Sequence, residues 1–318
     1  MASNNLRIIY QNILDLSTTT VTASSTASAS TPASNLKLDS KSQVWRSATQ
    51  TGTSYVTPSG DTLYKPVANL VITTLPQQIV GGVIFPFCNL SQTAKIRVRG
   101  YTGTAAQVGT PTVVNTTDPG GGVAGGTLIF DSAVTTAAPY QNFGLWNWGS
   151  IPLGVNSYSY GGGTYGRVWI SVPNAVTSLL IEIYDPACVS PYIEISRIVA
   201  GSYWSPKYNT SFGLSTGSQD LSQHERSESG DLITNRGIRY RNMKFELTWL
   251  PPADRLEFTR ILRGNGLPRP LFISLFPDNS DDWDKEQSHQ IYGKLSTLND
   301  ITHPIFEMYS TSIEIEEI

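Results

Sequence analysis

Residues 235–275 read NRGIRYRNMKFELTWLPPADRLEFTRILRGNGLPRPLFISL, and this stretch decides how the second half of the chain is read. Met243, Phe245, Leu247 and Trp249 alternate with Lys244, Glu246 and Thr248, the period of a strand with one buried face. Pro251 and Pro252 end that strand, and a proline suits a first helical turn because the N–H it lacks has no partner there anyway. Asp254 and Glu257 near the start of the helix, with Arg260 and Arg263 near its end, match the macrodipole. Phe258, Ile261 and Leu262 form an i, i+3, i+4 stripe, Leu256 falls off it, and Gly264 is the expected left-handed stop. Leu271 to Phe276 is then a second strand. The predicted strand–helix–strand unit has Phe245, Leu247, Trp249, Phe258, Ile261 and Leu262 as its core. It carries no nucleophile, base or metal cluster.

The chain around it has 318 residues, enough for two domains. Charged residues make up 15%, against a usual share of about 25%. Such a surface meets solvent through Ser, Thr, Asn and Gly, or is hidden in a partner. With 27 Gly, 19 Pro and few helical periods, the class is mainly β. A net charge of −3 without a Lys/Arg cluster argues against nucleic-acid binding by charge neutralisation. No apolar run approaches the ~20 residues needed to span a bilayer, and the first residues lack a secretory pattern. The expectation is a protein made and assembled in a cytoplasm, without membrane insertion. Cys88 and Cys188 sit in apolar surroundings and read as buried free thiols.

Upstream, Leu6 to Leu16 begins as a strand. Ser17 to Ser34 holds 12 Ser or Thr in 18 residues, readable as a linker or as a Thr-rich strand and loop, of which the strand is favoured. Further strands are expected at Leu70–Leu75, Ile79–Phe87, Ile96–Arg99, Arg167–Val172, Leu179–Tyr184 and Tyr192–Val199. Many short strands joined by turns point to a β-sandwich, most simply a jelly roll. The runs GGGVAGG (Gly120–Gly126) and GGG (Gly161–Gly163) lack a following G-K-[ST], so they read as flexible rim loops and not as phosphate loops.

Three segments carry a family resemblance: NLKLDSKSQVWRS, IVGGVIFPFCNLSQTAKIRVRGY and SLLIEIYDPACVSPYIEISRIVAGSYWSP. Together they resemble the galactose-binding-like, or discoidin-like, jelly roll over about Leu6 to Pro206. The combination of such a jelly roll with FELTWLPPADR, PLFISLF and a last strand ending STSIEIEEI also resembles distal tail and minor tail (baseplate) proteins of long-tailed bacteriophages. That resemblance implies a jelly roll at 1–203 with a Gly- and aromatic-rich insertion at about 101–165. An extended arm or linker at 204–236 and a tail-tube-like α+β ring domain at 237–318 would follow. It further implies a structural virion protein of the tail tip, a homo-oligomer forming a hexameric ring. Tail tube, tape measure and baseplate hub would be its neighbours, and its jelly roll would contact partners or a host surface glycan. The alternative is a carbohydrate-binding module or receptor-binding lectin with the C-terminal domain as an anchor.

Candidate sites are few. His224 and Glu225, with Asp220 and Asp231 nearby, could be catalytic or ligate a metal, but the other histidines, His289 and His303, stand far along the chain. Asp278–Glu286 holds five acids in nine residues without the order of a calcium loop, and reads as an acidic hairpin tip. Trp146, Asn147, Trp148, Tyr158 and Tyr160 form the richest interval. Exposed aromatics stack on sugar rings and Asn reads hydroxyls, but the same residues favour protein interfaces, so the interval reads as a glycan or partner site or as core packing of the inserted loop. No catalytic residue, metal ligand or cofactor is assigned, and the expectation is a protein that is not an enzyme.

Overall fold

The computed structural model describes residues 5–52, 54–58, 60, 62–91, 93–137, 165–211, 213–235, 237–278 and 283–318. The chain is mainly β and divides into two compact units. One comprises Ile9–Tyr203 and Asp278–Ser288; the other takes Asn4–Ile8, Trp204–Pro277 and His289–Ile318.

The first unit is a sandwich in which short helical turns and a two-stranded sheet pack on a six-stranded antiparallel sheet. Its main sheet runs in the order Thr127–Thr136, Lys95–Thr102, Gly166–Tyr184, Val67–Phe85, Val199–Gly201, and Thr20–Ala23 also pairs with Val67–Phe85. The inward positions of these strands, among them Ala68, Leu70, Ile72, Ile96, Val98, Leu179, Ile181 and Ile183, are fully buried. Against them pack the short helical turns Ile13–Asp15 and Ala33–Lys37 and the small sheet Trp45–Arg46/Glu194–Ile195, through Ile13, Leu14, Leu36, Trp45 and Ile195. The Ser/Thr-rich stretch is an ordered edge strand and loop, tied down where the Trp45 indole N–H donates to the Ser25 carbonyl at 3.1 Å.

Two pairs of predicted strands are continuous. Leu70–Leu75 and Ile79–Phe87 fall in one strand, Val67–Phe85, and Arg167–Val172 and Leu179–Tyr184 in another, Gly166–Tyr184. The ladder between them slips at Trp169/Asn174 and at Val176/Ser178. Extra residues at a bulge break the period of two, so the apolar alternation stops and restarts inside one strand. At the other end of the prediction, Leu6 to Leu16 contributes only Arg7–Ile9 as strand.

Both cysteines are free and buried. Burial first, and then the neighbouring Asp185, pushes the Cys188 thiol far above its ordinary range, which keeps it neutral. Asp185 is itself pushed up by burial, against the opposing effect of donors from Ser91 and the Ala187 N–H.

The second unit is built on a seven-stranded sheet. Arg7–Ile9, Leu271–Ser274, Gln290–Leu295, Met308–Glu317, Arg239–Leu250 and Ser215–Asp220 follow one another, and Thr302–Ile305 pairs with Met308–Glu317. Met243, Phe245, Leu247, Ile313 and Ile315 are buried. Trp249 departs from the alternation expected of it and is 49% exposed. The register shifts between Leu247, opposite Thr311, and Leu250, opposite Tyr309, so one extra residue turns Leu250 inward and Trp249 outward. The helix Pro252–Asn265 buries Phe258 and Ile261, half-buries Leu262 and leaves Leu256 exposed. It runs past Gly264 and stops at Gly266, whose φ of 56° lies in the region glycine tolerates and whose N–H donates to the Leu262 carbonyl at 2.9 Å.

Residues 204–235, read above as an extended arm or linker, fall in the second unit, where Ser215–Asp220 pairs with Arg239–Leu250. The ribbon continues as the hairpin Gln223–Arg226/Leu232–Asn235, every described strand residue of which is exposed.

Candidate functional site

On the sandwich, the small sheet lays Arg46 opposite Glu194, and Cys88 bridges to Ile195 beside them. Trp45, Ile195 and Cys88 point into the core, so their strand neighbours are turned outward. Arg46 donates to Glu194 Oε2 from Nε at 2.9 Å and from Nη2 at 2.5 Å. Its guanidinium carbon lies 4.3 Å from the Tyr192 ring centroid. Asn89 holds this group in place: its side-chain amide donates to the Tyr192 carbonyl at 2.8 Å and accepts the Glu194 N–H at 2.7 Å. The Arg46 side chain is 37% exposed and that of Glu194 21%, so donors, an acceptor and a ring meet solvent together. On the adjacent segment, Lys41 lies over the Phe87 ring at 4.4 Å, and Phe87 adopts φ 55°, an uncommon setting for a bulky side chain.

The outer face of the main sheet carries a second polar group. Glu182 stands opposite Arg97 and Asn69 on its two neighbouring strands, and Asp131 opposite Arg99. Glu182 is fully buried and pairs with Arg99 at 2.8 Å, while Arg97 and Asp131 pair at 2.5 Å with about a third of the Arg97 side chain exposed. Burial pushes the Asp131 carboxyl up, but the Arg97 guanidinium and the Ala133 N–H outweigh it and hold the group below its usual range. This row pins a loop. Gly122 N–H donates to Glu182 at 2.9 Å, and the Asn69 amide donates to the carbonyls of Val108 at 2.8 Å and Gly120 at 3.2 Å. The run Gly120–Gly126 is therefore not a flexible rim loop. It lies on the sheet, where a Cβ on Gly122 would stand 2.6 Å from a Leu180 methyl and one on Gly121, at φ +88°, 1.9 Å from the Thr110 carbonyl oxygen. Gly is used there for close approach.

Trp146, Asn147, Trp148, Tyr158 and Tyr160 lie outside the described residues. The histidines are dispersed. His224 shares a 2.9 Å hydrogen bond with Thr234 across the exposed hairpin, His289 meets the edge of Phe276, and His303 stacks on Tyr309. Among the described residues no group of three or more His, Cys, Asp or Glu is placed to hold a metal ion, and no helix is long and apolar enough to cross a membrane. Of Asp278–Glu286, expected as an acidic hairpin tip, residues 279–282 lie outside the described residues; Glu286 is on the short helix Trp283–Ser288, fully buried and bound to Arg167 at the start of strand Gly166–Tyr184. Sequence reasoning passed over Arg46, Tyr192 and Glu194 as functional residues, because their pairing joins positions about 150 apart.

No family model and no curated protein matches this chain. Solved structures similar to part of it include the chitosan-binding module 1 of a Paenibacillus sp. IK-5 chitosanase/glucanase. That match has 14% identity and a TM-score of 0.34, over 60% of this chain and 99% of that one. A further match is CBM32-3 from a family 31 glycoside hydrolase of Clostridium perfringens, with 9% identity and a TM-score of 0.34, over 60% and 93%. A Ruminococcus gnavus GH29 fucosidase matches at 11% identity and a TM-score of 0.35, over 62% of this chain but only 27% of the enzyme. Identities and scores this low carry over neither ligand nor reaction.

Proposed function

We propose that the protein is a non-catalytic binding protein whose sandwich unit takes a carbohydrate and whose C-terminal unit anchors it in a larger assembly. The observation that carries this reading is the outward group Arg46, Tyr192 and Glu194. A cationic donor, a carboxylate acceptor and an aromatic ring held by a buried amide suit a ligand rich in hydroxyls on an apolar ring. No side chain in the group is a nucleophile beside a base, which is why binding is proposed and catalysis is not. A glycan array followed by calorimetry on the full chain tests it. Losing one hydrogen bond to a charged group removes about 1.5–3 kcal/mol, so Arg46→Ala is expected to weaken the sugar that binds by roughly ten- to a hundredfold. Parent-like affinity in Arg46→Ala and in Tyr192→Ala removes the site from this face. A Trp146→Ala, Trp148→Ala variant that alone loses binding moves it to the aromatic interval.

A second reading, a ring-forming structural protein of a phage tail tip, is favoured by one feature of the C-terminal unit. Its hairpins display large apolar side chains: Leu232 and Ile233 on one, Ile305 and Phe306, the latter 83% exposed, on another. A two-stranded ribbon such as Gln223–Arg226/Leu232–Asn235 is marginal in water, and exposed apolar residues on these hairpins suit a protein partner. Under this reading the partners are further copies and other tail proteins, and the place is the virion. Mass photometry is expected to show a closed oligomer, a hexamer by the resemblance noted above. A strictly monomeric protein at micromolar concentration sinks the ring.

A further inference from the structure

The segment Asp185–Tyr192, reading DPACVSPY, leaves the end of strand Gly166–Tyr184 and leads through Ile193 to Glu194–Ile195. It therefore delivers both Tyr192 and Glu194 to the outward group. Three stretches of the sandwich unit hold it. Tyr64 and Cys188 exchange backbone hydrogen bonds at 2.8 and 3.1 Å. The Gln50 N–H donates to the Pro191 carbonyl at 2.7 Å, and the Ile193 N–H donates to Ser47 Oγ at 2.9 Å. The third stretch is Asn89–Ser91. There the Asn89 N–H donates to the Glu194 carbonyl at 3.0 Å, beside the two bonds of its side-chain amide, and the Cys188 thiol donates to the Asn89 carbonyl at 3.5 Å. At the root of the segment, Asp185 Oδ2 accepts the Ser91 N–H at 2.6 Å. Asp185 Oδ1 accepts the Ser91 hydroxyl at 2.5 Å and the Ala187 N–H at 3.0 Å. Asp185, Ser91, Asn89 and Cys188 are all buried.

We propose that Asp185 is the positioning residue of this face: its carboxylate ties the turn that follows it to Ser91, and through Ser91 and Asn89 holds Tyr192 and Glu194 where Arg46 meets them. A carboxylate taken out of water is costly unless donors surround it. Here three donors converge on its two oxygens, two of them from Ser91 and one from the turn itself. Leu90, between Ser91 and Asn89, is buried in the apolar core, so a displacement of Ser91 is passed on to Asn89. An amide of the same shape cannot take all three donors, because one of its two ends donates. Asp185 itself touches no ligand and acts through Asn89, Tyr192 and Glu194. Its effect on affinity rests on the carbohydrate reading, while its effect on the segment is measurable without a ligand.

The test puts Asp185→Asn into the full chain with and without Arg46→Ala, and reads calorimetric affinity for galactose, fucose and a chitosan oligosaccharide. A positioning role predicts a loss of roughly tenfold in the parent, and of less than about twofold where Arg46 is already gone. An equal loss in both backgrounds overturns the proposal, since a general loosening of the fold does not depend on Arg46; so does parent-like affinity. Hydrogen exchange without ligand is the second measurement. Protection of the Cys188, Ile193 and Glu194 amides is expected to fall by roughly tenfold, with residues 179–183 of the neighbouring strand unchanged. Unchanged protection at those three amides, or a fall that extends through the strand, overturns the proposal. Ser91→Ala removes one donor and keeps the carboxylate; it carries both measurements, at smaller amplitude, where Asp185→Asn does not fold. A parent that binds none of the three sugars counts against the carbohydrate reading, and the exchange result alone then decides the role of Asp185.

Discussion

Glu286→Ala is expected to destabilise the full chain by about 3–5 kcal/mol, read as a lower urea midpoint at unchanged slope. Arg167 and Glu286 face each other almost wholly out of solvent through two hydrogen bonds. Removing Glu286 takes its counter-charge and both of these hydrogen bonds from a buried guanidinium, which cannot escape by deprotonation as a lysine would. The cost is thus mostly that of an uncompensated buried charge and only in small part that of the lost attraction. The same argument sets the control. Arg167→Met with Glu286→Leu removes both charges and leaves apolar side chains of similar volume. That pair is expected to recover most of the loss, because a buried ion pair roughly balances its own desolvation. A Glu286→Ala cost below about 1 kcal/mol would mean the pair is wet and behaves as a surface bridge.

Glu286 also shows where sequence reasoning stops. Five acids in nine residues look like a solvated tip, and nothing within reach along the chain contradicts it. Its partner lies 119 positions earlier. Arg46 and Glu194, 148 positions apart, escaped notice for the same reason, so of the candidate site only the apolar strands that carry it were legible. Strand faces are legible wherever a period of two runs unbroken, as at Ile96–Val98 and Ile313–Ile315. They were misread where a bulge shifted the parity, which joined two pairs of strands and turned Trp249 outward. In sequence, the glycines of Gly120–Gly126 read as a sign of mobility, although the same absence of Cβ permits the closest packing. Which of the two applies depends on what lies opposite, here Leu180 and the Thr110 carbonyl.

Phe258 and Trp249 separate stability from assembly in the C-terminal unit. Phe258 is 2% exposed, with its ring centroid 5.7 Å from that of Trp204. Phe258→Asp puts a carboxylate into that apolar contact and removes the aromatic packing as well. Truncating a buried Phe alone costs about 3–5 kcal/mol, and desolvating a charged or neutralised carboxyl adds to it. A single domain has roughly 5–15 kcal/mol in all, so this variant is expected to lose its near-ultraviolet circular dichroism, or to be recovered only as aggregate. Trp249→Asp behaves differently because the side chain points into solvent. Its expected effect on the urea midpoint is within about 1 kcal/mol, the range of surface substitutions. Under the ring reading, Trp249 instead belongs to the surface that meets another copy, where a large aromatic contributes most to association. Mass photometry at several concentrations then decides. A folded Trp249→Asp that has lost its oligomer supports assembly through this face. A folded variant that associates like the parent shows that the exposed indole belongs to neither the core nor the interface.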